Sequence, residues 1–550
     1  MNAAELMVKC LENEGIKYIF GIVGEENLTF LEALRKSKIK IITTRNEQAA
    51  VFMAATFGRL TGRIGVALST LGPGATNLMT GVAYAQLGGM PLLVITGQKP
   101  VRKNKQGKFQ IIDVVRMMEP VTKFSTTVIS AEKIPATVRY AVKTAEAERP
   151  GAVHLELPED IALEEAAMRP IERRNYSHSN PSTESVETAV SAIHSSRSPV
   201  LLLASGANRK NAGAELEKFV NKTGIPFITT QLGKGALDEK NPNYLGTTAL
   251  SHGDYVHKIL EKSDLIISVG HDTKEKPPFV FARDLAKTPK IIHVNFSPAD
   301  TDTVYIPNYE VVGDIRNSVS QITRKVSPKK SWDFSYFYRI RKAQITSINK
   351  SAYNNSFPLM PERVVAEVEK VMPKDSIISL DNGMYKIWFT RNLPVRESNT
   401  LLLDNNLATM GAGLSAGMAA KLLYPEKKVL VIAGDGGFMM NVGELETAKR
   451  LNLDLVILIL NDSGFGMIKW KQKDMDLPDF GLGFSNPDFV KLAESFGGTG
   501  YSIKNVNELQ DVLKKTINAK GIHIIECPVS YSKTNDALGK NLKEEINRLR

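Results

Sequence analysis

The chain has 550 residues, is 43% hydrophobic and 23% charged, and carries a formal net charge of +11. That length exceeds a single hydrophobic core, so three domains of ordinary size are expected, and the composition excludes a disordered or fibrous chain. No run of about 18 apolar residues occurs, the first residues lack the pattern of a signal peptide, and Cys10 and Cys527 are the only cysteines, which excludes a membrane span and a disulfide framework and leads to the expectation of a cytoplasmic protein with two buried thiols.

Residues 3 to 14 read as an amphipathic helix and Lys17 to Gly21 as a strand that ends in GIVGEENL. Ile39 to Thr43 is a second strand, followed by a helix from about Asn46 to Leu60. Glu47 stands in its first turn, where an acidic side chain complements the helix dipole. Residues 65 to 97 then run strand, Gly-rich turn, helix and buried strand. The stretch 98 to 123 is polar and loop-like before a short helix, and Lys123 reads as an exposed cation near a helix end. His154 to Pro158 forms one more buried strand, and Glu164 to Val186 has no apolar period, which marks a linker.

From Pro199 onward PVLLLASGANRKNAGAELEKFVNKTGIPFITT is strand, turn, helix, strand, and DLIISVGHD and KIIHVNFSP supply two further strands. A charged and aromatic segment, Pro328 to Asn355, reads as a second linker. The expected fold is α/β, with three doubly wound parallel-sheet domains. Their expected bounds are 1–165, 189–328 and 356–550, separated by linkers 166–188 and 329–355. Basic residues are scattered apart from RIRK at Arg339 to Lys342, so neither nucleic acid nor a membrane is expected as a partner.

The last third carries the most informative stretch. Val429 to Ala433 is a buried strand that runs into Gly434-Asp435-Gly436-Gly437; a helix over Met439 to Leu451 and a second strand, Leu455 to Leu460, follow. In a parallel βαβ unit the carboxyl ends of both strands lie side by side, which brings Asp435 and Asp462 together near a helix N-terminus. Glycines and the helix dipole suit an anion there, and two carboxylates beside an anion call for a bridging hard cation. Mg²⁺ plus a diphosphate satisfies both, with the Gly464 carbonyl as a further ligand. A structural turn with Asp462 as a helix cap explains a lone GDG equally well.

The spacing is more specific. GDG after a buried strand, with ND ending the next strand and Asp462 lying 27 residues beyond Asp435, resembles the thiamine diphosphate motif. The chain as a whole resembles the acetolactate synthase branch of the thiamine diphosphate enzymes. The resemblance implies a pyrimidine-binding, a central and a diphosphate-binding domain. It makes Glu47, in RNEQAA, the residue that hydrogen-bonds the aminopyrimidine ring, although Asn46 stands where members commonly have histidine. Pro73 and Asn77 of GPGATN match positions lining the pyrimidine, and Gln110 of FQ matches a glutamine facing the reacting centre. Gly383, Met384 and Tyr385 match diphosphate contacts, and Met410 matches the bulky residue wedged between the cofactor's rings. Phe465, Gly466 and Met467 open the substrate-facing helix, in which Lys471 replaces the tryptophan of biosynthetic members and the glutamine of catabolic ones.

The same resemblance implies that pyruvate loses carbon dioxide and is joined to a second pyruvate, giving 2-acetolactate. Gln110 and Lys471 would orient the acceptor. Simple decarboxylases of the family use a paired-histidine motif, and none of the eight histidines here is adjacent to another. GHDTKEKPPFVF stands where flavin-binding members carry an arginine and aspartate cluster, so FAD is doubtful. Family sites lie at subunit interfaces, which implies a homodimer or homotetramer, and no residue speaks for or against a regulatory subunit. Another carboligase, acetyl transferase or 2-oxo acid decarboxylase with a different acceptor is the alternative, kept open by Lys471 and by the loop Glu25-Glu26-Asn27.

Overall fold

Continuous runs of Val, Ile and Leu flanked by glycine favour parallel strands covered on both faces. The computed structural model forms 18 of them among the residues it describes. It describes residues 1–102, 107–173, 179–209, 212–250, 253–275, 289–300, 305–533, 538 and 540–549. The first sheet contains β1 (Tyr18–Gly21), β2 (Lys40–Thr43), β3 (Gly65–Ser69), β4 (Leu92–Gln98), β5 (Phe124–Thr127) and β6 (Ala152–Pro158). The second contains β7 (Pro199–Leu203), β8 (Phe227–Thr229), β9 (Tyr244–Thr247), β10 (Leu265–Val269), β11 (Lys290–Asn295) and β12 (Tyr309–Val312). The third contains β13 (Ile377–Leu380), β14 (Leu401–Leu402), β15 (Val429–Gly434), β16 (Leu455–Asn461), β17 (Thr499–Ser502) and β18 (Ile522–Pro528).

The spatial orders are β2-β1-β3-β4-β6-β5, β12-β11-β10-β7-β8-β9 and β14-β13-β15-β16-β18-β17. The first and third sheets thus share one topology. In each, the order reverses between the first strand and the third, and a crevice opens there beyond the carboxyl ends of the strands. In the third sheet this switch point lies between β13 and β15, so the turns after Leu380 and after Ala433 flank it. The expected α/β class with three parallel-sheet domains is what the chain forms.

Two compact units are present. One comprises Met1–Tyr176, Asn406–Glu426 and Met439–Leu453; the other comprises Ser177–Asn405, Lys427–Phe438 and Asp454–Arg550. The first has a core made by the helix Ala3–Asn13, the helix Ile134–Glu146 and one face of its sheet, including Leu6, Val66, Ile95 and Leu155. In the second, Leu430, Ile432, Leu458 and Ile525 join Trp388 and Phe389 in the core around the third sheet.

Several segments differ from expectation. The helix expected over Met439 to Leu451 begins at once after β15, as Asp435–Met440, breaks, and resumes as Glu444–Arg450. At the break the Asn441 side chain donates to the Gly411 carbonyl at 2.8 Å, and Gly443 precedes the new helix. Met440, the last residue before the break, is 54% exposed. The stretch expected as linker up to residue 188 turns helical at Thr183, where the Ser182 hydroxyl caps Thr183–Ser195. Most of the second linker stretch is the helix Ser335–Ala352, which buries Phe337 and Ile340. Of the segments cited from sequence, residues 103–106, 174–178, 210–211 and 276–281 lie outside the described residues. No helix among the described residues is long and apolar enough to cross a membrane, and Cys10 and Cys527 are buried free thiols.

Candidate active site

In the first unit, Asn46 ends an extended segment and its side chain accepts from the Gln48 N–H at 2.8 Å, capping the helix Glu47–Thr61. Glu47 is therefore the first helical residue, and it is buried. Its Oε2 accepts from Asn77 Nδ2 at 3.0 Å. Asn77 closes the short helix Pro73–Asn77, with Pro73 in its first position and Gly72 at φ 57° as its cap. A Cβ on Gly74 would come within 2.4 Å of Ser69 Oγ, so glycine is what lets this turn pack on the end of β3, and the same position faces Glu47 Oε1 at 3.5 Å, an ordinary contact distance. Gln110 stands over the same turn: a Cβ on Gly72 would lie 3.2 Å from its Cβ, and its own φ of 57° is in the left-handed region. Sequence-expected Glu47, Pro73, Asn77 and Gln110 are thus brought together.

Glu444, absent from any motif reading, completes this arrangement. It is buried and its Oε1 accepts from the N–H groups of Arg45 and Asn46 at 2.9 and 3.0 Å, while Thr447 donates to Oε2 at 2.7 Å. Burial raises its pKa above the ordinary carboxylate value, and the three donors oppose that shift. Met410 lies just before Gly411, the left-handed residue that caps Ala412–Leu423, and that helix packs on Glu47–Thr61. Lys123, expected to be an exposed cation, is half-buried and donates to the carbonyls of Ala147 and Arg149 at 2.9 and 2.8 Å. Burial lowers its pKa to about 8.

In the second unit, β15 and β16 pair in register, with Gly434 opposite Leu460, so Asp435 and Asp462 follow neighbouring strand ends. Asp435 is buried; its Oδ1 accepts from the Gly436 N–H at 2.9 Å, and its Oδ2 from the Ser463 N–H at 2.9 Å and Asn486 Nδ2 at 2.7 Å. Asp462 is partly buried, and a Cβ on Gly466 would stand 2.8 Å from its Oδ2. Burial raises the pKa of both, and the charge of Asp435 adds to the rise at Asp462, which reaches about 7. Two desolvated carboxylates that repel each other are stabilised by a cation. No cluster of three or more His, Cys, Asp or Glu suited to a metal occurs among the described residues. Two carboxylates completed by neutral oxygens are the donor set of a hard ion such as Mg²⁺, and the residues fit it.

The glycines have separate tasks. Gly383 alone admits the Tyr385 ring, since a Cβ there would come within 2.4 Å of it. Tyr385 is fully buried and its hydroxyl accepts from the Gly434 N–H at 2.9 Å. Its side chain therefore braces the GDGG turn, and Met384 is likewise in the core. Gly437 is buried, and Gly436 leaves room for the rings of Phe465 and Phe484, each 3.1 Å from where a Cβ would stand. Gly464 pairs with Gly483 in an isolated bridge. Phe465 caps the helix Gly466–Asp474, and Met467 packs partly buried on the core.

A cavity of about 570 Å³ adjoins Asp462, lined by Gly464, Gly466, Lys469, Trp470 and Lys473 together with the segments 479–483 and 529–532. Lys471 is not part of it. At about 100° per residue, positions 466, 469, 470 and 473 share one helix face and 471 leaves it. The Lys471 ammonium instead lies 4.5 Å from the centre of the Trp470 ring and 3.7 Å from Asp474. Lys471 thus stands outside this cavity, and Lys469 and Lys473 are the lysines at it. Asn486, which holds Asp435, escaped the sequence reading because it lies 51 residues beyond that aspartate in no spaced motif.

Comparison with known proteins agrees with this geometry. The N-terminal binding domain model of the thiamine pyrophosphate enzymes matches residues 1–117, their central domain model 186–322, and their C-terminal binding domain model 381–527. The chain is 31% identical to an acetolactate synthase of Bacillus subtilis, over 99% of this chain and 96% of that one. It is 30% identical to a catabolic acetolactate synthase of Raoultella terrigena, over 96% and 95%, and 31% identical to a probable acetolactate synthase large subunit of Methanococcus aeolicus, over 97% and 92%. With the three domain models matched in turn along the chain and full-length relatives about 30% identical, the chain belongs to the thiamine pyrophosphate enzyme family.

Proposed function

We propose that the chain is an acetolactate synthase that uses thiamine diphosphate and Mg²⁺ to join two pyruvates into 2-acetolactate with release of carbon dioxide. The observation that carries this reading is the pair Asp435 and Asp462, adjacent carboxylates driven toward protonation, in a chain whose full-length relatives are named acetolactate synthases. The domain bounds 1–165, 189–328 and 356–550 are part of the proposal.

Thiamine diphosphate, when bound, supplies the nucleophilic carbon that adds to a 2-oxo acid and the electron sink that lets carbon dioxide leave. The chain's own work is orientation and proton handling. Asp435, Asp462 and the Gly464 carbonyl would hold Mg²⁺, and backbone N–H groups at Gly437, Gly466 and Met467 would receive the diphosphate. Glu47 would hold and exchange a proton with the aminopyrimidine ring, since Asn77 fixes one carboxylate oxygen and Gly74 leaves space beside the other. Met410 would support the cofactor's rings. Gln110 would meet the acceptor, and Lys469 and Lys473 take the carboxylate-orienting part first expected of Lys471. The proposed reaction passes no electrons to an external acceptor and so calls for no FAD. A cytoplasmic setting accords with the two buried free thiols.

The test is to incubate purified protein with thiamine diphosphate, Mg²⁺ and pyruvate, without FAD, and to quantify acetolactate as acetoin after acid treatment. Acetolactate formation is expected. Decarboxylation of pyruvate without acetolactate, or product only with another acceptor, overturns the assignment and favours a different carboligase or decarboxylase. A homodimer or homotetramer with sites at subunit interfaces is also proposed. Mixed oligomers of Glu47→Gln and Asp435→Asn, each inactive alone, should regain activity, and failure to do so refutes the shared site.

A further inference from the structure

Asn486 lies in SNPD, just before the helix Phe489–Ser495. Its Nδ2 donates to Asp435 Oδ2 at 2.7 Å and to Asn461 Oδ1 at 3.1 Å. Asn461 is itself held, since its Nδ2 donates to Glu526 at 2.8 Å and its Oδ1 accepts from the Ser463 N–H at 3.1 Å. The segment that delivers Asn486 is anchored on the same motif. Phe484 packs edge-on against Phe465 with ring centres 5.1 Å apart, and Gly483 pairs with Gly464. Every anchor of residues 483–486 named here is therefore a residue of the GDGG and ND stretches.

The Oδ1 atom of Asn486 is buried and has no hydrogen-bond partner. A buried acceptor left unpaired points to a missing water or ion, and an amide oxygen is a hard donor of the kind that Mg²⁺ and its water shell use. The amide N–H group meanwhile donates to the same Asp435 oxygen as the Ser463 N–H, and the two donors together hold one carboxylate rotamer.

We propose that Asn486 is a positioning residue of the cation site: its N–H holds Asp435 in place, and its oxygen accepts from water bound to the cation. This rests on the cation reading above. The test titrates Mn²⁺ into the apo-protein in the presence of thiamine diphosphate and follows free Mn²⁺ by electron paramagnetic resonance. Outer partners of metal ligands typically contribute about 10- to 100-fold to metal affinity, and that loss is expected for Asn486→Leu with unchanged far-ultraviolet circular dichroism. Saturating Mn²⁺ should restore kcat for acetolactate formation, which a general packing role would not produce. Asn486→Ser covers the case in which leucine prevents folding; it retains one hydroxyl and should lose at least about fivefold in affinity. Affinity within twofold of the wild type in either folded variant overturns the role of Asn486. Absence of Mn²⁺ binding by the wild type overturns the cation reading itself, and this inference with it.

Discussion

Replacing Glu444 by alanine tests how the helix bearing Glu47 is held. The side chain accepts two backbone N–H bonds, from Arg45 at 2.9 Å and Asn46 at 3.0 Å. An N–H left buried without a partner costs roughly 1–3 kcal/mol. Arg45 is exposed, so water reaches part of that loss, and about 2–3 kcal/mol is expected for Glu444→Ala. At about 1.36 kcal/mol per factor of ten, local opening becomes roughly 30- to 160-fold more frequent. Glu444→Gln keeps an oxygen acceptor and loses only the charge assistance, so its effect should stay near tenfold or below. Hydrogen–deuterium exchange of the peptide spanning residues 44–52 reads this directly, because the Ala50 N–H bonds to the Asn46 carbonyl in the first turn. Exchange in Glu444→Ala within threefold of the wild type would refute the reasoning. The same variant should lower kcat more than it raises KM, since the turn that frays carries Glu47, the carboxylate proposed to handle the proton.

Three further outcomes are expected. Gly466→Ala puts a Cβ 2.8 Å from Asp462 Oδ2; alanine favours the helix, so thermal stability should hold while Mn²⁺ affinity falls about tenfold or more, and unchanged affinity would contradict the placement of Asp462. Asn77→Ala removes the donor to Glu47 and should reduce kcat by about tenfold with thiamine diphosphate affinity nearly retained; a pure affinity loss would speak for a binding role instead. The third concerns pH. Asp462 in the folded protein is raised to about 7 from 3.8, so between these values the folded state binds a proton that the unfolded state lacks, and the stability of the apo-protein falls as pH rises through that window. A cation binds the ionised carboxylates, so the melting-temperature increase caused by Mg²⁺ with thiamine diphosphate should be larger at pH 8 than at pH 5. Equal increases at both would refute the linkage.

The residues legible in the sequence are those whose partners lie a fixed distance away along the chain. Asp435 and Asp462 are of this kind, because a βαβ crossover of ordinary length brings consecutive strand ends together. Glu47 was marked by its helix start, and Asn77 by its glycine turn, but the bond between them was not foreseen. Met439 to Leu451 was misread because apolar spacing alone does not reveal the break that Asn441 and Gly443 impose. The helix Ser335–Ala352 was missed because its exposed charges mask the short stripe of Phe337 and Ile340.

What the sequence by itself determined is therefore the α/β class, the three parallel sheets and the pairing of the two aspartates, since strand burial, glycine turns and motif spacing are local properties of the chain. Only the tertiary structure decided which groups serve those carboxylates. Glu444 reaches back to Arg45 and Asn46 across 399 and 398 residues, and Asn486 reaches Asp435 across 51. It also placed Lys469 and Lys473 rather than Lys471 at the cavity beside Asp462, because the face a helix turns toward a cavity is set by what it packs against. Contacts of that kind depend on side-chain direction and on elements distant in the chain, and no periodicity of the sequence encodes them.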